Sequence, residues 1–377
     1  MKKVAILVLN NFTNDSRVLK IARSLGANGY EPIVVAMKKG EVIEREDEGV
    51  FKVHRVQLST MFLPRFLNPV KYIEWVWRGA RTYRKFEFFH CCDFEALPVG
   101  LVARWFNPKL KIVYDAHEYE AERLGLTPFA KKFIKFFEKR WIKRTSAVIT
   151  VSRGIEKEYE RQFSLPVHNV IFNAPAFKKS VEKSHGLRKT FNIRQDQKIF
   201  LYSGRIAMGR GVEILIEAFS QRNTDSAVLV FLGSGPLLDK VEKAAAESSN
   251  IFYHPPVPYE EVVSTVAQAD YGLLSPENLC LNYYYCMPNK LFEYIQAGIP
   301  ILVADLKDCQ ELVESESIGF ASDDYSVKGW NDLVDRALKS NPEDFSEELR
   351  KVAKEFNWEI EEKKLLDLYA SAKEQKD

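Results

Sequence analysis

Residues 199–211 read IFLYSGRIAMGRG, a short apolar run that leads into a loop with three glycines and two arginines. A continuous apolar run of this length is typical of a buried parallel strand. Directly after it, Val212, Leu215, Ile216 and Phe219 recur at i, i+3, i+4 and i+7, which predicts a helix with one buried face. The stretch therefore predicts a strand, a loop and a helix of a doubly wound α/β domain.

The same alternation of apolar runs and helical periodicity continues along most of the chain. It predicts strands at residues 4–9, 32–37, 51–58, 87–90, 112–115 and 147–151, and then at 199–203, 228–232, 251–253, 271–274 and 300–303. At 377 residues the chain exceeds what one hydrophobic core organises, so we expect two domains. The charge-rich segment 173–197 lacks an apolar stripe and predicts the connection between them.

Composition excludes several classes of protein. A net charge of +2 excludes a generally basic nucleic-acid-binding protein, so no nucleic acid partner is expected. The five cysteines form no Cys-x-x-Cys pair, which predicts reduced, mostly buried thiols. No run reaches the roughly 18 to 20 apolar residues of a membrane-spanning helix, and residues 4–9 are too short for a secretory signal. We therefore expect a cytoplasmic protein.

The loop at residues 204–211 has the composition of an anion-binding site. Arg205 and Arg210 can each donate paired hydrogen bonds to phosphate oxygens, and the glycines allow the backbone to approach a diphosphate. A solvated turn with arginines paired to surface acids is the alternative, which the placement of the glycines disfavours.

Two further loops follow strands of the second half. Gly233 and Gly235 form a Gly-x-Gly fragment, which either lines a ligand or makes a tight turn, and Pro236 is expected at the first position of the next helix. Val257 lies in the stiff sequence HPPVP, whose main chain can form hydrogen bonds to a flat base.

A helix predicted at residues 289–296 carries a third polar cluster. The long loop 275–288 precedes it, and loops of that length are usually functional or mobile. Asn289, Lys290 and Glu293 share its N-terminal turn, where a carboxylate can bind the hydroxyls of a ribose. An exposed Lys290–Glu293 pair is the alternative, but the apolar neighbours indicate a buried helix.

Polar side chains also follow the strands of the first half. His117, Glu118 and Glu120 come directly after the strand at 112–115, which favours a catalytic or sugar-contacting role over a structural histidine. Asp93 follows another strand, and Asp15 is placed to cap a helix. The first strand is not followed by the glycine-rich fingerprint of a dinucleotide-binding protein, which disfavours a nicotinamide dehydrogenase.

Taken together, these pieces resemble the GT-B glycosyltransferases of family GT4, the retaining group that uses nucleoside-diphosphate sugars. The resemblance covers essentially the whole chain. Its motifs here are NDSRV at 14–18, GY at 29–30, YDAHE at 114–118, residues 148–152, SGR at 203–205, GSGP at 233–236, PNKLFEY at 288–294 and AGIP at 297–300. The PNKLFE version resembles a bacterial subgroup that builds surface polysaccharides.

The resemblance implies two Rossmann-like doubly wound domains that face each other across a cleft. An acceptor domain over residues 1–175 and a donor domain over 176–355 are expected, with a C-terminal helix within 356–377 that packs back on the first domain. A nucleoside-diphosphate sugar is the co-substrate, with UDP favoured, and neither a cofactor nor an essential metal is expected. The acceptor is a saccharide or a polyprenyl-linked saccharide.

Residue by residue, the resemblance implies three groups of site residues. Arg205 and Arg210 match the basic pair on the diphosphate, although the second is commonly lysine in relatives, and Glu293 matches the ribose-binding glutamate. The catalytic group comprises His117, Glu118, Arg205 and Arg210. The donor-binding group comprises Gly204, Gly233, Gly235, Val257, Glu277, Tyr285, Asn289, Lys290 and Glu293. The acceptor-binding group comprises Asp15, Arg17, Asp93 and Glu120.

One position departs from the family pattern. Many relatives have a second glutamate eight residues before the ribose-binding one, where this chain has Tyr285. Glu277 or the loop 278–285 would then contact the donor sugar. A GT-B sugar-nucleotide epimerase, a phosphorylase and a non-catalytic nucleotide-sugar binding protein stay open as alternatives.

A basic, aromatic helix is predicted at residues 129–144. Seven cations and one acid alternate there with phenylalanines and Trp141, a pattern that suits an anionic lipid surface. Packing of the aromatic stripe on the sheet, with solvated cations, is the alternative. Trp75, Trp77, Arg78, Arg81 and Arg84 form a second candidate, and either would place the protein at the inner face of the plasma membrane.

Overall fold

The computed structural model describes residues 1–13, 15–163, 169–181, 186–222 and 226–374. Asn14 of the NDSRV motif, part of the segment 173–197 and residues 375–377 lie outside this range. The chain divides into two compact units, Met1–Ile171 with Glu362–Asp377, and Phe172–Glu361. The divisions expected from the sequence were at 175/176 and 355/356.

Unit 1 is built on a seven-stranded sheet with the order β3-β4-β2-β1-β5-β6-β7. All neighbours are parallel except β3 and β4. Its elements are β1 (Lys2–Leu7), α1 (Ser16–Ala27), β2 (Tyr30–Met37), β3 (Arg45–Asp47), β4 (Lys52–Val56), α2 (Asn68–Tyr83), β5 (Phe88–Cys92), α3 (Leu97–Phe106), β6 (Lys111–Asp115), α4 (Pro128–Trp141), β7 (Ala147–Ile149) and α5 (Arg153–Phe163).

Unit 2 is built on a six-stranded parallel sheet with the order β10-β9-β8-β11-β12-β13. Its elements are α6 (Gly186–Thr190), β8 (Lys198–Arg205), α7 (Val212–Ser220), β9 (Ala227–Ser234), α8 (Leu238–Glu247), β10 (Ile251–His254), α9 (Val262–Val266), β11 (Tyr271–Leu274), α10 (Leu281–Tyr284), α11 (Asn289–Ala297), β12 (Ile301–Ala304), α12 (Lys307–Ser315), β13 (Gly319–Ser322), α13 (Val327–Leu338) and α14 (Ser346–Glu355), followed by α15 (Trp358–Glu374).

Every strand predicted from the sequence is present, with ends shifted by a few residues. Two short strands were missed because both lie at a sheet edge and lack an apolar run: β3 is polar, and in β13, with the sequence GFAS, only one residue is buried. The loop 275–288 contains the short helix α10. Pro236 is not the first residue of a helix: it lies in the turn before α8, which begins at Leu238. Among the described residues, no helix has the length and apolarity needed to cross a membrane.

The end of α15 packs within unit 1. Tyr369 is fully buried, its ring centre lies 5.0 Å from that of Phe88 and 5.4 Å from that of Tyr30, and its hydroxyl lies 2.9 Å from Nδ1 of His90. This aromatic contact explains how the apolar stripe of the last helix is buried.

Candidate functional site

A cavity of about 350 Å³ opens at the carboxyl ends of β8 and β9 in unit 2. Strand ends of this kind are where open parallel sheets bind their ligands. Its walls are formed by Ser203, Gly204, Arg205, Leu232, Gly233, Ser234, Gly235, Pro256, Val257 and Val262. The structure thus brings five of the predicted site residues together: Gly204, Arg205, Gly233, Gly235 and Val257.

Glycine is required where β8 and β9 end side by side. Gly204 and Gly233 have φ angles of +120° and +151°. A Cβ atom on Gly233 would lie 1.9 Å from the carbonyl oxygen of Gly204, an impossible contact. The Gly-x-Gly fragment is therefore needed for the close approach of two strand ends, and that approach shapes the cavity wall.

The two arginines of the first loop have different surroundings. Arg205 is exposed at the cavity. The guanidinium carbon of Arg210 lies 4.7 Å from the centre of the Tyr283 ring, a cation–π contact that holds this side chain in place. The Arg210 carbonyl also accepts a hydrogen bond of 3.0 Å from the Ser275 hydroxyl.

Helix α11 is fixed to the sheet by Tyr294. Its hydroxyl accepts a hydrogen bond from the Ser203 amide at 3.0 Å and donates one to the Leu201 carbonyl at 3.1 Å. Gly272 makes room for the ring, because a Cβ there would lie 2.4 Å from it. The N-terminal turn of α11, with Asn289, Lys290 and Glu293, is thereby anchored to β8.

Lys290 is the most unusual residue of that turn. Its side chain is buried, and within the described part of the chain its Nζ atom has no hydrogen-bond partner. Burial lowers its pKa to about 7, with Arg210 adding to the effect. The exposed Lys290–Glu293 pair considered above is therefore not what the structure contains.

The remaining predicted donor residues lie around this turn. Glu293 is half-buried. The pKa of Tyr259 is raised mainly by the burial of that tyrosine, and the negative charge of Glu293 raises it further. The Asn289 side-chain oxygen accepts a hydrogen bond from Asn173 at 2.9 Å. Tyr285 ends α10, with its ring centre 5.0 Å from that of Tyr284.

Glu277 lies at the base of the arginine loop. Its amide donates a hydrogen bond to Gly209 at 3.0 Å. Its pKa is raised by burial and by the neighbouring charge of Glu213, while a hydrogen bond from the Gly211 amide acts in the opposite direction.

Unit 1 contains a second polar cluster, centred on the buried carboxylate of Asp115 at the end of β6. Arg17 donates to its two oxygens at 2.9 and 2.7 Å, and Nε2 of His90 and of His117 lie 3.1 and 3.2 Å from Oδ2. Burial opposes ionisation of Asp115, but Arg17 and His117 outweigh it, so its pKa lies well below the usual range.

His117 is held in its charged form. Burial disfavours the imidazolium, but Asp93 and Asp115 outweigh that effect and raise the pKa of His117 to about 9. Nδ1 lies 3.6 Å from the Asp93 carboxylate, and the His117 amide donates to the same carboxylate at 3.1 Å. With 18% of its side chain exposed, His117 can donate a hydrogen bond to a ligand.

The predicted acceptor residues divide into exposed and buried ones. Asp93 is accessible at the end of β5 with a φ angle of +63°, and Asp15 caps α1 by accepting a hydrogen bond from the Val18 amide. Arg17 is 3% exposed and Glu120 is fully buried, with Glu120 paired to Arg123. Because Arg17 and Glu120 are buried, their positions favour a role in holding neighbouring side chains in place over direct contact with a sugar. Glu118 is half-buried beside His117.

Sequence reasoning did not assign several residues of these clusters. Asp115, Tyr202 and Tyr283 contact assigned residues, and His90 contacts Asp115, but each is an ordinary strand or helix residue in the sequence. Only the position of Asp115 at a strand end could have signalled it.

Two family models match the chain. Residues 185–356 match the model for glycosyl transferases group 1, and residues 16–174 match the model for glycosyltransferase family 4. Together the matches extend over both units. The chain belongs to the family 4 glycosyltransferases.

The curated relatives of this glycosyltransferase have low sequence identity to it. An uncharacterised glycosyltransferase of Methanocaldococcus jannaschii is 26% identical over 59% of this chain and 59% of its own length. A Bacillus subtilis glycosyltransferase, provisionally assigned to teichuronic acid biosynthesis, is 24% identical over 56% of this chain and 51% of its own length. The chain thus spans between about half and three fifths of the length of these two relatives.

Solved structures match over nearly the whole length. The sucrose-phosphate synthase of Thermosynechococcus elongatus has a TM-score of 0.79 at 16% identity, over 98% of both chains. HepE of Anabaena, in complex with UDP-glucose, has a TM-score of 0.76 at 13% identity, over 98% of this chain and 100% of that one. At such identities the likeness shows the fold, and this family 4 glycosyltransferase chain has the GT-B fold.

Proposed function

We propose that the protein is a retaining glycosyltransferase that moves a sugar from a nucleoside-diphosphate sugar, with UDP favoured, to a saccharide or lipid-linked saccharide. The observation that carries the proposal is the glycine-walled cavity at the ends of β8 and β9, with Arg205 at its edge and the polar turn of α11 beside it. In this proposal the arginines bind the diphosphate, Glu293 binds the ribose, and the main chain around Val257 binds the base.

The chemistry follows from charge development on the leaving group. As the glycosidic bond to the diphosphate breaks, negative charge grows on its oxygens, and Arg205 at the cavity and Arg210, held by Tyr283, stabilise that charge. In front-face displacement the departing diphosphate can accept the proton of the acceptor hydroxyl. Neither a dedicated protein base nor an essential metal is then needed.

His117 is proposed to contact the donor sugar. Nε2 already faces the Asp115 carboxylate at 3.2 Å, so Nδ1, which lies 3.6 Å from the Asp93 carboxylate, is the nitrogen that can donate a hydrogen bond to a sugar hydroxyl, and the two carboxylates fix the orientation of the ring. Asp93 and Asp15 are the accessible carboxylates with which we expect acceptor hydroxyls to bind.

Surface glycan synthesis is the proposed setting. The Bacillus subtilis relative is provisionally assigned to teichuronic acid, and a Salmonella typhimurium relative is named a lipopolysaccharide N-acetylglucosaminetransferase. If the acceptor is lipid-linked, as proposed above, a membrane-facing surface would bring the enzyme to its substrate.

Helix α4 is the proposed contact with an anionic membrane surface. Phe129, Phe133 and Phe136 are 79%, 48% and 65% exposed, so the aromatic stripe does not pack wholly on the sheet. Lys131 and Lys135 pair with Glu122 at 2.7 and 2.6 Å. The exposed cations that can face lipid are Lys132, Lys139, Arg140, Lys143 and Arg144.

The second candidate membrane surface, on α2, has fewer available residues than its sequence indicates. Trp75 is fully buried and belongs to the core, whereas Trp77 is 48% exposed and its ring centre lies 5.7 Å from that of Phe106. Arg78 is paired with Glu74 at 2.8 Å. Of this group, Trp77 is the residue best placed to reach an interface.

Product analysis tests the proposal. Purified protein is incubated with UDP-, GDP- and ADP-sugars and a panel of saccharide and polyprenyl-linked acceptors, and the anomeric configuration of any glycoside is read by NMR. An acceptor-dependent glycoside with retained configuration is expected. Epimerised donor, phosphorolysis or binding without turnover would each replace the proposal with the corresponding alternative.

A further inference from the structure

The Lys290 side chain combines burial with the lack of a counter-ion in hydrogen-bonding distance. It is 9% exposed, and its Nζ atom lies 3.8 Å from the centre of the Tyr202 ring. No described residue forms a hydrogen bond with Nζ. A buried amine without such a partner is costly to keep charged, so a structural role alone does not explain it.

The groups that face Lys290 come from four directions. Arg210, in the loop after β8, repels a charge on the amine, whereas Glu293, on the same helix, favours it to a smaller extent. Cys286, before α11, and Cys309, on α12, also favour the charge weakly. Burial is the largest influence, and the balance leaves the pKa near 7, so the amine is largely neutral at pH 8.

The amine lies beside the cavity at the ends of β8 and β9. A Cβ atom built on Gly204 would lie 4.0 Å from Cε of Lys290, and Gly204 forms part of the cavity wall. An anion that binds along Gly204 would therefore approach this amine. Such an anion reverses the local balance, because it attracts the ammonium that Arg210 repels.

We propose that Lys290 binds the diphosphate of the nucleotide and takes up one proton from solvent as it does so. The neutral amine and one proton become an ammonium that donates a hydrogen bond to a phosphate oxygen, and no bond of the nucleotide breaks. The inference rests on the proposed function and adds to it a third cation on the leaving group. Release of the nucleoside diphosphate returns the proton, so product release accelerates as pH rises.

Calorimetry at pH 8 tests the inference. UDP, GDP and ADP are titrated into the intact protein in HEPES and in Tris, buffers with different ionisation enthalpies, and the tightest nucleotide is used further. The terminal phosphate, with a pKa near 6, is already ionised at that pH. The difference in heat is expected to correspond to about 0.9 proton taken up per nucleotide, the neutral fraction of an amine whose pKa is about 7.

Two variants assign the proton to its residue. Lys290→Met fills similar space and breaks no hydrogen bond to a described residue, so it is expected to fold and to bind nucleotide with near-zero proton uptake. Lys178→Met removes an exposed lysine of the same unit and is expected to keep the wild-type uptake. Wild-type affinity should weaken up to about tenfold from pH 8 to pH 9, whereas that of Lys290→Met should stay nearly constant.

The outcomes separate this inference from the proposed function. If none of the three nucleotides binds, the proposed function fails. If one binds with heats that do not depend on the buffer, the proton uptake is wrong while the nucleotide site stands. Undiminished uptake in Lys290→Met would also overturn the inference, because another group would then carry the proton.

Discussion

Nε2 of His117 lies 3.2 Å from Oδ2 of Asp115, a carboxylate that Arg17 and His90 also contact. Asp93 approaches the other ring nitrogen of His117. The imidazole is therefore placed between two carboxylates from neighbouring strand ends, and its charge state depends on both.

Titration of His117 provides the first prediction. Its ring should titrate near pH 9 by NMR, and Asp93→Asn should lower that pKa because it removes one of the two attracting charges. The raised pKa also stabilises the fold: this contribution is complete below the unfolded-state pKa of about 6.5 and is lost as pH rises through 9. Unfolding free energies of wild type and His117→Gln should therefore converge between pH 6.5 and 9.5. A midpoint near 6.5 would show that the carboxylates do not act on the ring.

Removal of the Arg205 side chain provides the second prediction. Arg205→Ala should lower kcat about 10²- to 10³-fold, because stabilisation of the developing charge is lost, while the melting temperature changes little for an exposed residue. Arg350→Ala, which removes another exposed arginine of unit 2, is the control and should keep wild-type turnover. Equal kinetics of Arg205→Ala and wild type would remove Arg205 from the site.

Addition of one methyl group at the strand ends provides the third prediction. Gly233→Ala should destabilise the protein by about 1–3 kcal/mol and abolish nucleotide binding, because the new Cβ would lie 1.9 Å from the Gly204 carbonyl. Gly125→Ala is the matched control, since its φ angle of +83° is also positive but the space around it is open. It should cost about 1–2 kcal/mol and leave nucleotide affinity unchanged. Chemical denaturation and calorimetry measure both effects.

Lipid binding by α4 provides the fourth prediction. The double variant Lys139→Glu, Arg140→Glu should bind anionic liposomes at least tenfold more weakly at moderate salt, because each cation near the surface contributes about 1 kcal/mol. The double variant Lys240→Glu, Lys243→Glu makes the same change in net charge on α8 and should bind like wild type. Equal flotation of the two variants would argue against α4 as the contact.

Much of the fold could be predicted from local patterns. Apolar runs placed all but two of the strands, and the missed ones, β3 and β13, are short or polar. The cavity was also within reach, because the glycines and Arg205 occupy consecutive strand-to-helix loops and parallel strands bring such loops together. The departure at Tyr285 was visible in the sequence as well, although its contact with Tyr284 does not say which residue meets the sugar.

The charge states of the site residues could not be predicted from the sequence. Asp115 meets Arg17, which is 98 positions away in the chain, and Tyr202 on β8 lies under the amine of Lys290 on α11. A pKa depends on burial and on every charge nearby, and both follow from contacts between distant segments.

By itself, the sequence determined the two doubly wound units and the Gly-Arg loop at the end of β8, because strand periodicity and glycine conformation are local properties. Tertiary structure alone decided that His117 is charged and that Lys290 is buried with a pKa near 7. Those states depend on desolvation and on the distances between charges, which exist only once the chain has folded.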